Sequence, residues 1–393
     1  MSKKYIKIIS VFIILSVLLL FFPSSANAAG SGGGVLGEEI EDILSDQLKN
    51  SGAEDLYDKM PSETEKYLQE LGISEINISS ILNLNIGEIF GLIGKITKDY
   101  FGEIAATFAA VLGVVMVSVI MDVMKDNFSS TKIGEVFNMI SMLCLITIVS
   151  TPIITVVNKV VSSINNGTLF ISALLPVLTG IMMAGGQMVT GTTYNMIIYG
   201  VCQVVSNLAS TVIVPLISIY LGFCITSSVS EKLNLEKAAE SVKKCASWIL
   251  GLAVTLFVGL LTTQTLVTTS ADSAIAKAGK FVINSAVPIV GGPLSDAVAT
   301  IQGCLSLLKN VVGVFGILSA LLIFLPVLLE CVLWIVLLQV TAFVGDIFSV
   351  KSIPGLMRSI SSAMSLLCTV LICSGVLVIV STTVILLLGG KGV

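Results

Sequence analysis

Apolar residues occupy this chain in long uninterrupted runs, with polar residues gathered between them. Six runs lie at about 104–121, 136–157, 196–227, 247–267, 311–348 and 363–388. Each is close to or beyond the ~20 residues that cross hydrocarbon as a helix. Two further runs are interrupted. Leu169 to Gln187 contains Pro176, Gly180, Gly185 and Gly186, and Phe281 to Thr300 contains Pro288, Gly291, Gly292 and Pro293. The pattern predicts an all-α, polytopic helical membrane protein. It has six spans if the interrupted runs dip in as re-entrant loops, and eight if they cross.

The N-terminal region reads differently. Lys3, Lys4 and Lys7 precede an apolar stretch from Ile8 to Phe22, which Pro23 ends. Ala26-Asn27-Ala28 then supplies a small-residue cleavage site. The pattern predicts a signal peptide over 1–28 cut after Ala28, with an uncleaved first span as the alternative. Residues 29–102 carry short stripes instead of long runs, and predict a small extracytoplasmic helical segment. Leu36, Ile40, Ile43, Leu44 and Leu48 recur at helical spacing. Ser62-Glu63-Thr64-Glu65 has the form of a capping box, opening a helix that ends at Gly72. Ile86, Ile89, Phe90, Ile93 and Thr97 form a third stripe, expected to lie on the membrane surface. The third stripe would close the segment before a first transmembrane pair over 103–160.

The two interrupted runs are alike. Ile171-Ser172-Ala173-Leu174-Leu175-Pro176 parallels Ile283-Asn284-Ser285-Ala286-Val287-Pro288. Pro215 and Pro326 follow them at similar spacing inside long apolar runs. The offset between copies is about 112 residues, giving repeat 1 over 161–272 and repeat 2 over 273–390; chance likeness of leucine-rich segments is the competing reading. Repeats with broken apolar segments at matching positions point to a translocation site. A broken helix leaves backbone groups unpaired, and these are tolerated at membrane depth only against protein or water. Pro176, Gly180, Gly185, Gly186, Pro288, Gly291 and Gly292 are therefore candidate pore or gating positions, with ordinary helix kinks as the alternative. Glu330, Gln339 and Asp346 join them, since a carboxylate at membrane depth is costly unless it meets water or a partner. Pro326 and Glu330 could instead mark a turn that splits the run 311–348 into two short spans. Gly251, Thr255 and Gly259, and likewise Ala109 and Gly113, offer small faces for close helix contact.

Charge orients the body. Lys125 and Lys132, then Lys232, Lys237, Lys243 and Lys244, then Lys351 and Arg358 fall in three loops that the positive-inside rule puts in the cytoplasm. The second loop, 228–246, reads as an interfacial helix. The outer segment is acidic: Ala29 to Glu103 holds 15 acidic and 5 basic residues. The remaining chain, Ile104 to Val393, holds 10 acidic and 13 basic residues.

Composition closes off much chemistry. Of 393 residues 55% are hydrophobic and 12% charged, about half the charge of a soluble domain. There is no His, which excludes His-dependent nucleophilic catalysis and His-ligated metal. Arg358 is the single Arg, so an Arg-lined nucleic-acid surface is not expected. The eight Cys lie in or beside apolar runs with no C-x-x-C, and no Walker A motif occurs. The expectation is a non-enzymatic chain with no catalytic residues, cofactor or metal, whose surroundings are membrane lipid.

Phe170 to Leu178, Gly191-Thr192-Thr193 and Phe281 to Pro288, set behind a signal sequence and an acidic helical segment, give a layout that resembles the stage III sporulation protein AE family of endospore-forming bacteria. The resemblance implies a permease-like membrane subunit of the mother-cell to forespore transenvelope channel complex. It implies a place in the mother-cell membrane around the forespore, and as partners the other subunits of that complex, including a cytoplasmic ATPase. A homo-oligomer is a further expectation. Two other readings stand beside it: an autonomous secondary transporter for a small solute or ion, and a non-conducting scaffold of a secretion-type complex.

Overall fold

The computed structural model describes residues 48–49, 51–76, 80–81, 85–125, 131–229, 235–260, 291–348 and 352–388. These belong to one compact unit, Leu48–Val393. The signal sequence with Ala26 and Ala28, most of the first stripe, and Pro288 lie outside the described residues.

Among the described residues the principal helices are α1 (Asp55–Asp58), α2 (Ser62–Glu70), α3 (Ile86–Lys125), α4 (Thr131–Ala184), α5 (Met188–Leu208), α6 (Val214–Val229), α7 (Glu236–Leu260), α8 (Gly291–Ile347) and α9 (Ser352–Leu388). α5 passes into α6 through a π turn, Ala209–Ile213. Pro215 removes the N–H that would meet the Thr211 carbonyl, and its ring crowds that turn; the backbone widens just before it. Six helical stretches among the described residues are long and apolar enough to cross a membrane: α3, α4, α5 with α6, α7, α8 and α9. Each coincides with one of the six uninterrupted runs, 247–267 being described only as far as Leu260. The chain is an all-helical, multi-pass membrane protein.

The helices stop where backbone chemistry stops them. α2 ends in a Schellman motif: Ile73 N donates to Leu68 O at 2.9 Å and Gly72 N to Gln69 O at 3.0 Å, with Gly72 at φ 76°. α4 ends the same way, through Gln187 N to Met182 O at 2.9 Å and Gly186 N to Met183 O at 3.0 Å, with Gly186 at φ 85°. The expected break at Pro176 is absent. Pro152 and Pro176 both lie inside α4, and Pro326 lies inside α8. A proline costs a helix one hydrogen bond, and a helix packed on its neighbours absorbs that loss. A left-handed glycine ends it outright.

Other expectations change too. The third stripe is not a separate surface helix but the first turns of α3. Nothing between Thr97 and Ile104 breaks that helix, and it buries Leu92 and Ile96 while Phe90 stands 64% exposed. The capping box does not form: Pro61 takes the N-cap position, and the Glu65 carboxylate accepts from Gln69 Nε2 at 3.2 Å. The interfacial helix proposed for 228–246 is, from Glu236, the start of α7, with Lys244 and Glu240 paired one turn apart at 3.1 Å.

α4, α8 and α9 form the core, with α4 and α9 both antiparallel to α8. α8 meets α4 through Gly316 against Leu174 and Phe324 against Gly167, and meets α9 through Gly313 against Leu386, Phe324 against Gly375 and Gly345 against Pro354. A methyl group on Gly167 would come within 2.4 Å of the Phe324 ring, so the ring is wedged between two glycines on different helices. The small faces expected from sequence do not make such contacts: a methyl group added at Gly113, Gly251 or Gly259 would meet nothing within 4 Å.

Candidate functional site at the Lys159–Glu330 pair

The middle of α4 breaks its own apolar pattern. Asn158, Lys159, Ser162, Ser163, Asn165, Asn166 and Thr168 fall between two apolar lengths of one helix. The antiparallel register sets this stretch beside Ile323 to Glu330 of α8, where Pro326 has already removed one backbone donor. Ser163 Oγ donates to Ile323 O at 2.9 Å, next to the Leu322 carbonyl that Pro326 leaves without its helical partner. One turn further, Lys159 Nζ donates to both oxygens of Glu330 at 2.9 Å. The Lys159 side chain is 36% exposed and the Glu330 side chain 6%. Lys159 Nζ also lies 5.0 Å from the centroid of the Tyr100 ring on α3, within cation–π range. The pair thus joins α3, α4 and α8 at one level.

The N-terminal segment packs at that level. α2 lies against α8 and α1 against α4. Lys95 of α3 pairs with Glu70 of α2 at 2.6 Å. Burial, and then the carboxylates of Glu63, Asp99 and Glu70, hold the Tyr67 hydroxyl above the usual tyrosine range. A second polar contact lies further along α4, where Ser206 Oγ of α5 donates to Asn165 Oδ1 at 3.1 Å. Beside it Thr168, Ser206, Phe324 and Ser374 line a cavity of about 10 Å³, room for roughly one water. Ser374 Oγ is buried there without a protein partner.

The family model for stage III sporulation protein AE matches residues 76–389. The chain belongs to this family. A curated relative, stage III sporulation protein AE of Bacillus subtilis (strain 168), is 24% identical over 199 residues. That match takes in 51% of this chain, and the chain spans about half the length of the relative, 50%. No solved structure matches. Family membership places the chain in sporulation.

Within this family member the candidate residues do not gather at one place. Glu330 sits in continuous helix, not at a turn, and holds Lys159. Gln339 Nε2 donates to Ser361 Oγ of α9 at 3.0 Å, joining α8 to α9. Asp346 pairs with Arg358 at the α8–α9 turn, where both are largely exposed. At 1.5 Å per residue these positions lie about 13 and 24 Å along α8 from Glu330. Pro176 and Gly180 share a face of α4 that is exposed, not turned into the bundle; Gly185 and Gly186 form the α4–α5 turn. Gly291 and Gly292 open α8. Lys159 was not singled out by sequence. The signal was a lysine between two apolar lengths, which calls for a carboxylate partner, and Glu330 was already marked. Lys309 is buried in α8, and its Nζ donates to Leu386 O at 3.1 Å near the C-terminus of α9, where a cation is favoured.

Proposed function

We propose that this chain is the permease-like subunit of a mother-cell to forespore channel complex, set in the mother-cell membrane with its N-terminal segment extracytoplasmic. The family match over residues 76–389 carries the sporulation role. The polar α4–α8 seam supports a part in solute passage, because an ion pair, the Leu322 carbonyl left open by Pro326 and a small cavity edged by the hydroxyls of Thr168, Ser206 and Ser374 lie inside an apolar bundle. The two best-defined cavities each have room for roughly one water. In this reading the conduit is completed where copies of the chain or partner subunits meet, and the exposed Pro176–Gly180 face of α4 would contribute to that seam. The chain supplies no catalysis of its own; energy comes from a gradient or from a cytoplasmic ATPase among the partners. The internal repeat and the first transmembrane pair over 103–160 belong to this proposal.

Deletion of the gene tests it: spore formation stops after engulfment, and normal heat-resistant spores would refute the assignment. A second reading, an autonomous transporter, draws on the Lys159–Glu330 pair, which has the form of a coupling site. Gradient-driven uptake into liposomes by the purified chain alone would favour it over the channel-complex reading.

A further inference from the structure

The apolar bundle is far taller than a bilayer. The membrane-competent part of α8, Gly303–Ile347, has 45 residues, and that of α4, Met139–Ala184, has 46. At 1.5 Å per residue each is about 67–69 Å long, against a hydrocarbon core of ~30 Å. Fitting 67 Å into 30 Å needs a tilt of about 63°, well beyond the ~40° limit of observed helix tilts. Half of the bundle must stand outside the hydrocarbon.

We infer that the bilayer surrounds only the half between the Tyr100–Lys159–Glu330 level and the basic turns, and that the other half stands in the extracytoplasmic space. Several observations bear on which half is in lipid. From Glu330 to Ile347, α8 rises about 26 Å, close to one hydrocarbon thickness. On α3 and α4 the matching lengths are the runs 104–121 and 136–157. The outward side chains of this half are apolar on several helices, among them Ile120, Ile140, Val340 and Phe343. It ends at the basic residues: Lys243 donates to Ser362, and Arg358 holds Asp346. Trp248, 68% exposed, lies just inside Lys244 on α7, where an interfacial aromatic belongs.

The other half carries charge on its outside along α2 and α3, while α4, α5 and α8 there expose apolar side chains, among them Leu169, Met196, Val204 and Leu307. On α3, above Tyr100, the residues Glu88, Lys95, Lys98 and Asp99 are all exposed, and α2 with its acidic side chains packs beside them. A charged helix face in hydrocarbon costs several kcal/mol per residue at mid-depth; here it lies in water. The positive-inside rule then makes this half extracytoplasmic. The Lys159–Glu330 pair marks the outer membrane boundary, not the bilayer centre. The inference rests on the chain being a membrane protein and is independent of whether it conducts.

The test is spin-label accessibility of the full chain in nanodiscs, comparing collision with oxygen, which concentrates in hydrocarbon, and with a water-soluble nickel chelate. Labels are placed singly by Ile140→Cys, Phe343→Cys, Phe90→Cys and Met196→Cys, read against the unsubstituted chain because Cys144 and Cys245 are exposed. Oxygen dominates at 140 and 343, and the ratio inverts at 90 and 196. Oxygen dominance at both 90 and 196, or nickel dominance at 140 and 343, overturns the placement. Gene function is not read, so failure here leaves the channel proposal standing.

Discussion

Removing either member of the Lys159–Glu330 pair should cost different amounts. Glu330 is 6% exposed and Lys159 36%. Lys159→Met strands a carboxylate that cannot reach water, and the loss is about 3–5 kcal/mol, typical of a broken buried pair. Glu330→Gln keeps an acceptor for Nζ and leaves an ammonium that can turn toward solvent. Its loss is about 1–3 kcal/mol, the value of a charge-assisted hydrogen bond. Lys159→Met with Glu330→Gln removes both desolvated charges together and should cost less than Lys159→Met alone, a coupling of about 1–3 kcal/mol or more. In a background with the other seven Cys replaced by Ser, Cys331 gives the readout: it is fully buried beside Glu330, so its reaction with a thiol dye during heating in mild detergent reports loss of this packing. The order of midpoints should be wild type, Glu330→Gln, then Lys159→Met, with the double variant above Lys159→Met. Single losses that simply add, within about 0.5 kcal/mol, would refute the reasoning.

Three further outcomes follow from the glycines and the surface charges. Gly167→Ala drives a methyl into Phe324, which Gly375 backs from the other side, and should cost about 1–3 kcal/mol by overpacking; Gly180→Ala meets no neighbour within 4 Å and should be neutral or stabilising by up to about 1 kcal/mol, both measured by the same thiol assay. Gly186→Ala strains a left-handed residue by about 1–2 kcal/mol and should loosen the α4–α5 turn, seen as faster proteolysis near residue 186. Lys95→Ala removes a pair that is 58% and 40% exposed and should change stability by less than about 1 kcal/mol; a larger loss would mean that the pair holds α2 in place by itself.

The spans were legible because a membrane-crossing helix demands an apolar run and little else: each of the six runs, 247–267 as far as Leu260, lies in its own helical stretch. Helix ends were harder to read. Pro176 and Pro326 look like breaks in sequence, but the energy of one lost hydrogen bond is small beside the packing of a fifty-residue helix. The true stop, Gly185-Gly186, was noted only as part of a broken run. The same error cut α4 at Val157 and so hid Lys159. Glu330 was found because a carboxylate stands out among leucines; its partner lies 171 residues away, a separation no local pattern reports. Gln339 and Asp346 shared its run but sit one and two helix segments further on, and periodicity alone could not assign them to α9 partners. Close-packing glycines were equally hidden. Gly251 and Gly259 carry the expected spacing, yet each has open space where a Cβ would stand, while Gly167, Gly313 and Gly316, which sequence did not single out, hold the core.

The role in passage is best tested by transfer of a small tracer from mother cell to forespore after engulfment, in a deletion strain complemented with wild type, Glu330→Gln or Gly180→Ala at matched protein levels. Transfer should vanish without the chain, return with wild type, and fall with Glu330→Gln even where that variant accumulates normally. Undiminished transfer in the strain lacking the chain would contradict the account.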